Sequence, residues 1–471
     1  MGRNSKYLLL FLLATIYLIS RFYRLEELYT FSFDQYRDAW VVKQIIVDKK
    51  LTLIGPQSSF YGIFYGPFWY YSLVPFYWFF GLSPIGGAVG AIFYGLITLV
   101  LLYFFAEKIF SQKVVLFSSL IYIFSYQINF YNRACRNDPP LMLFSLMILF
   151  LLTILVQEKK KKKRFFLQAF SLGILSGVGL HYHFSAIVFL PMTIIALLIL
   201  KISKSFQKII YLITGFIFSL SPLIIFDLRH QFSISKSYVS LFTAVSEPPL
   251  INFWKNFCNN FLLIINNFWR IISPEQTQVF IKIILLAFFS LFIIAFFFSL
   301  DWKKNRYYYY LFFLWVFFPI VLFSFYPQAV YDYYFVLTFT VLILILGLSI
   351  NSVFNSGSLN ILVIIFFVLF ISANISHLKK VNNLRSLVYL NQAIDFIKKD
   401  SEGEPIFIDF FSKDNFKVNF DYLIYNYRLN KVDKNENSIY SSYIFYVPPV
   451  REEAYRIYKK FGDIGVGIER K

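Results

Sequence analysis

Cysteine is nearly missing from this chain: Cys135 and Cys258 are the only two in 471 residues. Two thiols build neither a disulfide framework nor a metal cluster. Charge is scarce as well, at 15% of residues against about 25% in soluble domains. There are 26 acidic side chains and four histidines. No phosphate-cradling P-loop and no glycine-rich dinucleotide fingerprint occurs, which argues against a nucleotide-driven pump or a nicotinamide enzyme. The long apolar runs hold almost no ionisable residue at mid-depth, where ion-coupled transporters place theirs. What is abundant is apolar: 58% hydrophobic, 22% aromatic, with a mean hydropathy of +0.60. Only a polytopic membrane protein fits. Residues 7–20 are apolar, but no small-residue cleavage site follows, so they read as a retained span and not a signal peptide.

A spanning helix needs about 20 apolar residues to cross about 30 Å of hydrocarbon. Eleven stretches qualify: 6–22, 84–105, 114–131, 139–157, 165–180, 184–200, 209–226, 278–300, 308–326, 333–350 and 359–377. A twelfth run, 66–81, opens Gly-Pro, contains Pro75 and is dominated by Trp, Tyr and Phe, residues of the membrane interface. Reading it as an interfacial or re-entrant helix, with the N-terminus inside, puts sixteen basic residues in inner loops against Glu107, Glu158 and Asp301. Letting it span would throw the KKKKKR run at 159–164 outside, against the positive-inside rule. The first arrangement also places ten of the thirteen acids before residue 378 on the outer side.

The expected fold is therefore an all-α polytopic membrane domain over 1–377, with about eleven spans and two long outer loops, about 23–83 and 228–277. Residues 378–471 change character, with a helical pattern at 381–399 and strand-like runs at 406–410 and 442–449. They read as a small α/β domain outside the membrane. The net charge of +19 is explained by topology and calls for no nucleic acid.

Chemistry is concentrated at the outer side. FSFDQYRDAW (31–40) carries Asp34 and Asp38 four apart, with Arg37 three after Asp34, so on a helix all three are neighbours. A carboxylate there can take a proton from an acceptor hydroxyl; a surface ion pair is the simpler account. YNRACRNDPP (131–140) groups Arg133, Arg136 and Asp138 ahead of Pro139–Pro140. The prolines start the next helix, Asp138 suits its N-terminus, and the arginines either bind phosphate or anchor at headgroups. His181 and His183 in HYHF make a poor metal pair without further ligands, and hydrogen bonding to phosphate or sugar is the better role. Arg229 and His230 in DLRH offer a phosphate fork or an interfacial anchor. Tyr65 and the aromatic stretch 62–71 could stack on a sugar or a polyprenyl chain.

An acid-bearing motif in a long first outer loop, a Gly-Pro-aromatic segment, then R-x-x-R-x-D-P resembles the GT-C glycosyltransferases. The likeness is to the family 39, protein mannosyltransferase and aminoarabinose-transferase-like group, over most of residues 1–350. The resemblance implies that Asp34 is the catalytic carboxylate, that Asp138 belongs to the same site, and that a polyprenyl-phosphate sugar is the donor. Two positions depart from the family pattern: Gln35 stands where an acid is common, which leaves Asp38 as a second carboxylate, and Tyr65 precedes Gly66–Pro67 where some members carry lysine.

The resulting expectation is an inverting glycosyltransferase of the cell membrane, N-terminus cytoplasmic, with its site and C-terminal domain extracytoplasmic. Asp34, Asp138 and Asp38 are the catalytic candidates. Arg37, Arg133, Arg136, His181, His183, Arg229, His230 and Tyr65 are the substrate and phosphate candidates. No cofactor or metal is called for, although an outer acidic site could hold a divalent ion. The partners are the bilayer, the polyprenyl-phosphate sugar and a lipid, glycan or protein acceptor. A polymerase or ligase of lipid-linked glycans, or a non-enzymatic flippase or transporter, are the alternatives.

Overall fold

The structure is a computed structural model that describes the chain apart from residues 1–2, 59, 158–164, 201–205, 244–252, 300–301, 327, 356, 358, 413–416, 432–440, 448–458 and 470–471. The lysine run at 159–164, together with Glu158, Lys201, Lys204, Glu247 and Asp301, lies outside the described residues.

Apolar sequence becomes helix here because lipid leaves no other partner for the backbone. In order, the chain forms α1 (Arg3–Phe22), the single turn α2 (Leu25–Leu28), α3 (Phe33–Ile46), α4 (Phe68–Phe79), α5 (Ile85–Ile109), α6 (Gln112–Phe124), α7 (Tyr126–Tyr131) and α8 (Leu141–Gln157). Next come α9 (Phe165–Gly179), α10 (Phe189–Ile199), α11 (Phe206–Ser219), α12 (Ser221–Arg229), α13 (Ser233–Thr243) and α14 (Phe253–Ile272). The membrane part closes with α15 (Val279–Ser299), α16 (Trp302–Ser324), α17 (Phe339–Asn355) and α18 (Asn360–Lys380).

The eleven expected spans each find a helix. Six are long and apolar enough to cross a membrane by themselves: 3–22, 85–109, 279–297, 305–324, 332–355 and 360–380. The run at 209–226 is a pair, α11 and α12, bent by 57°. The other four fall on shorter apolar helices at 112–124, 141–157, 166–179 and 184–199. Segment 66–81 yields α4, whose 12 residues rise about 18 Å, well short of the hydrocarbon thickness.

The second long loop is more ordered than its length suggests, because α14 fills much of it. Three of its asparagines are tied to the protein: Asn256 and Asn260 donate to Ser324 on α16, and Asn267 to the Asp332 carbonyl. Trp254, Phe261, Leu262 and Ile265 face out. Its buried face mixes Asn260 and Asn267 with Ile264, Ile271 and Ile272, so asparagine hydrogen bonds and apolar packing together hold it to the bundle.

The C-terminal segment holds α19 (Leu387–Asp400), α20 (Lys417–Tyr427) and four strands: β1 (Ile406–Ser412), β2 (Ser441–Val447), β3 (Lys459–Phe461) and β4 (Ile464–Glu469). The sheet order is β1-β2-β4-β3. β1 and β2 are parallel and the other pairings antiparallel. This unit is docked on α3. The Tyr422 ring meets Tyr36 and Trp40 edge-on at 6.4 and 6.1 Å, and its hydroxyl donates to the Leu82 carbonyl at 2.6 Å. Asn383 donates to the Leu28 carbonyl and to Thr30, just before α3 begins.

Candidate active site

α3 starts where a serine can end an extended stretch. Ser32 is its N-cap, and Gln35 Oε1 accepts from the Ser32 backbone N–H at 3.1 Å and from its hydroxyl, one side of a capping box. The Gln35 amide nitrogen donates to the carbonyls of Ala134 and Cys135 at 3.0 and 3.2 Å. One buried side chain therefore fixes the helix start and ties it to the 131–140 segment. An acid could not do both, since a carboxylate has no N–H to give.

Asp34 and Asp38 occupy very different surroundings although one helical turn separates them. The Asp34 side chain is 58% exposed and pairs with Arg37 at 2.9 Å. Asp38 is 1% exposed and fully engaged. Its Oδ1 accepts from Arg37 Nε and a terminal nitrogen at 2.9 and 2.7 Å, and its Oδ2 from Trp69 Nε1 at 2.6 Å. Burial pushes the Asp38 carboxyl above the usual range, against the pull of Arg37 and Trp69. Burial works the other way on Arg37, but Asp38 and its neighbours outweigh it and raise that guanidinium. Tyr70 lies in the field of both carboxylates and Arg37.

Trp69 leads to the second acidic segment. Its ring meets Tyr182 edge-on at 5.8 Å, and the Tyr182 carbonyl accepts from Asn137 at 2.6 Å. Cys135 adopts a left-handed backbone, φ 42°, and turns the chain between Arg133 and Arg136. Arg136 donates from Nε to Asp138 Oδ1 at 2.8 Å, with its guanidinium 4.8 Å from the Tyr333 ring centre and 5.8 Å from that of Tyr131. Asp138 is buried, and its Oδ2 has no hydrogen-bond partner among the described residues. Burial raises its carboxyl too, opposed by Arg136.

His183 completes this wall. Its ring contacts Tyr65, Tyr333 and Tyr334 at 5.7, 5.6 and 5.2 Å, and Nδ1 accepts from the Ser185 N–H at 3.2 Å. Burial, helped by the positive charge of Arg136, pushes it down to about 3, so it is neutral at physiological pH. Tyr65 is raised by burial and the tyrosines around it, while Arg37 lowers it. Asp332 closes the far side, held by Arg270 at 3.0 Å.

The structure thus gathers Asp34, Arg37, Asp38, Tyr65, Arg136, Asp138 and His183 at one end of the bundle. Lys6 with Glu107, and Lys113 with Asn355, mark the opposite end. Four expected residues are elsewhere. His181 is a scaffold: Nε2 reaches the Ser219 carbonyl at 2.8 Å at the α11–α12 bend, and the ring stacks on Phe68 at 4.4 Å. A Cβ on Gly66 would lie 2.1 Å from His181 Nδ1, which explains the glycine before Pro67. Arg229 is exposed at the end of α12. His230 stacks on Phe226 at 3.9 Å, while Asp227 caps α13 through Ile234 and Ser235. Arg133 points away from the carboxylates, toward Tyr23, Arg21 and Tyr126. Sequence reasoning passed over Trp69, Tyr70, Asn137, Tyr333 and the role of Gln35. Trp69 lay inside a recognised aromatic run, but its partner is 31 residues away. Among the described residues, no three His, Cys, Asp or Glu side chains come together in metal-binding reach.

With this geometry in place, the comparisons with known proteins are consistent. Residues 66–226 match the family dolichyl-phosphate-mannose-protein mannosyltransferase. The whole fold is similar to ArnT from Cupriavidus metallidurans bound to undecaprenyl phosphate, at a TM-score of 0.60 and 10% identity, covering 99% of this chain and 98% of that one. The apo state of the same protein matches at 0.60 and 12% identity over the same shares. The Archaeoglobus fulgidus oligosaccharyltransferase in its apo form is similar at 0.51 and 10% identity, over 90% of this chain and 60% of that one. No curated protein matches significantly in sequence. The chain has a GT-C fold, and a third of it carries the mannosyltransferase family's sequence pattern.

Proposed function

We propose that this GT-C-fold membrane protein transfers a sugar from a polyprenyl-phosphate carrier to an acceptor hydroxyl at the outer membrane face, with inversion at the anomeric carbon. The observation that carries the reading is one exposed carboxylate, Asp34, paired with Arg37, which also holds the buried Asp38, with a second buried pair, Arg136 and Asp138, in the adjoining turn. Nucleophile activation and leaving-group stabilisation need different surroundings. An ionised base must reach solvent-borne acceptor, whereas charge stabilisation gains from a low dielectric.

In this mechanism Asp34 receives the acceptor proton. The acceptor oxygen attacks the anomeric carbon from the face opposite the phosphate. The carbon–oxygen bond to phosphate breaks, its electron pair leaves with the oxygen, and polyprenyl phosphate departs with one more negative charge. Arg136 meets that charge, and Arg37 stands between the two parts of the site. Asp38 orients Arg37, and Asp138 orients Arg136. Tyr65, Tyr333 and the neutral His183 supply a wall on which a sugar face can stack. The sidedness rests on the basic residues of the opposite loops. The likeness to ArnT, bound in its crystal to undecaprenyl phosphate, supports a polyprenyl carrier here. The reaction needs no nucleotide, and the acceptor is a hydroxyl of a lipid, a glycan or a protein.

Transfer of radiolabel from polyprenyl-phosphate sugars in membranes holding the protein is the direct test. Label must appear in a new glycosidic product, and the Asp34→Asn protein must fail to make it. Full activity of that variant would sink the assignment. Movement of the donor with no new bond would favour a transporter. Retained activity in the presence of EDTA is expected, with the Arg136 guanidinium supplying the positive charge for the leaving phosphate.

A further inference from the structure

α3 carries both the exposed Asp34 and the buried Asp38, so its rotation about its own axis decides what each carboxylate meets. At 3.6 residues per turn, its side chains fall on three faces. Gln35, Asp38 and Val42 are buried against the membrane bundle, Gln35 on the 134–135 carbonyls and Asp38 on Trp69. Tyr36, Trp40 and Lys43 meet the C-terminal unit. The third face holds the ion pair of Asp34 and Arg37.

The contacts on the second face are aromatic. Trp40 meets Tyr422 and Tyr425 edge-on at 6.1 and 5.8 Å, and Lys43 lies 4.8 Å from the Tyr425 ring centre. Tyr422 is fully buried, and its ring also lies 5.9 Å from that of Phe31, one residue before the Ser32 cap. The residues that lead into α3 are held from the same side. Thr30 forms an antiparallel bridge with Ser386, and the Leu387 N–H donates to the Tyr29 carbonyl at 2.9 Å. Asn383 donates to the Leu28 carbonyl and to Thr30 Oγ1 at 3.3 and 2.8 Å. Tyr29 carries the contact inward: a Cβ on Gly87 would lie 3.3 Å from its hydroxyl and 2.7 Å from Cys135 Sγ. The stretch 28–31 is thus pinned between the C-terminal unit and the turn that holds Arg136.

A helix held along one face can still roll about that line of contact, and a second line about a third of a turn away stops the roll. With a side chain about 6 Å from the helix axis, a roll of roughly 10° moves the Asp34 carboxylate about 1 Å. A misplacement of about 1 Å can cost about 10²-fold in rate. We infer that the C-terminal unit completes the site, with Tyr422 and Asn383 as positioning residues that fix the roll of α3 and so the direction of the Asp34 carboxylate. The inference rests on the reading of Asp34 as the base. The unit acts through Phe31, Thr30 and Trp40 and itself touches no substrate.

The test compares the natural full-length protein in nanodiscs with Tyr422→Leu, Tyr422→Phe and Asn383→Ala. Three quantities are read: the single-turnover rate from a polyprenyl-phosphate sugar, equilibrium binding of that donor, and hydrogen exchange of backbone amides. Tyr422→Leu removes the ring contacts and should lower the rate about 10–10²-fold with donor binding retained. Amides of residues 33–38 should exchange faster while those of α14 keep their protection. Tyr422→Phe gives up only the hydrogen bond to the Leu82 carbonyl and should keep most of the rate. Asn383→Ala should act in the same direction as Tyr422→Leu, and it decides the matter if that variant does not fold. An undiminished rate in either would overturn the inference. So would a parallel fall of rate, donor binding and protection across the whole bundle, the mark of general destabilisation. Failure of the natural protein to transfer sugar would sink the reading of Asp34 as base, and exchange at 33–38 then decides the clamp by itself. Unchanged exchange there in both variants overturns it whatever the activity.

Discussion

The helix at 33–46 and the turn at 132–138 each hold an aspartate buried against an arginine, and the two pairs are finished differently. Asp38 has both oxygens occupied, one by Arg37 and one by Trp69. Asp138 has Arg136 on one oxygen and nothing among the described residues on the other. A carboxylate whose lone pairs are already spoken for positions its neighbours. A buried carboxylate with an open oxygen carries an unmet desolvation cost, which a substrate hydroxyl can relieve on binding. The α3 pair therefore holds Arg37, which also takes the exposed Asp34, whereas the pair in the turn leaves one oxygen open, the point at which we propose that a ligand completes it.

Substitutions can break that contrast. The largest effect is expected at Asp34: replacing it with Asn should lower kcat by about 10²–10⁴, the usual worth of a general base, while donor binding measured by equilibrium titration is retained. Next is Arg136→Ala, expected to cost about 10²–10³ in kcat, read in single-turnover transfer with saturating donor. The two buried acids should then part company. Asp138→Asn should raise KM with little change in melting temperature. Asp38→Asn sets an amide against the Arg37 and Trp69 donors and should lose about 1–3 kcal/mol of stability, seen as a lower melting midpoint. If both variants behave alike, the contrast between complete and incomplete pairs is wrong.

Gln35 sharpens the comparison because it joins the two segments. Gln35→Glu restores the residue common in the GT-C group, yet it should be less stable than Gln35→Ala by about 1 kcal/mol, since it turns a carboxylate onto the carbonyls of Ala134 and Cys135. Thermal melts of the two variants side by side decide it. The smallest effect concerns pH. His183 takes a proton only as pH falls toward about 3, so it stays neutral across the working range. The pH–rate profile should show no step near 6.5, the ordinary histidine value, and His183→Gln should leave the shape of the profile unchanged.

Much of this was legible from residue types. Apolar run lengths located all eleven helical segments and showed the brevity of 66–81, because the bilayer imposes a fixed length on anything that crosses it. The Asp34 motif and the 131–140 cluster stood out because acids are rare in so apolar a chain. Less legible was the second long loop, where α14 buries Asn260 and Asn267 beside Ile264, Ile271 and Ile272, because their partners on α16 and at Asp332 are more than 60 residues away. Arg133 and Arg136 were equivalent on sequence, yet with the left-handed Cys135 between them one donates to the Tyr23 carbonyl and the other to Asp138.

The sequence alone determined that the chain is a membrane-embedded helical protein with its acids gathered toward one side, since hydropathy and charge are properties of residues summed along the chain. The tertiary structure alone decided which acid is exposed, which is held on both oxygens and which keeps one oxygen open. It also decided that Gln35 is needed as an amide, that His181 packs at the α11–α12 bend and that Arg133 turns to the Tyr23 carbonyl. Those outcomes depend on which partners a fold brings within hydrogen-bond reach: Trp69 donates to Asp38 from 31 residues away, and the carbonyls that accept from Gln35 lie 99 and 100 residues on.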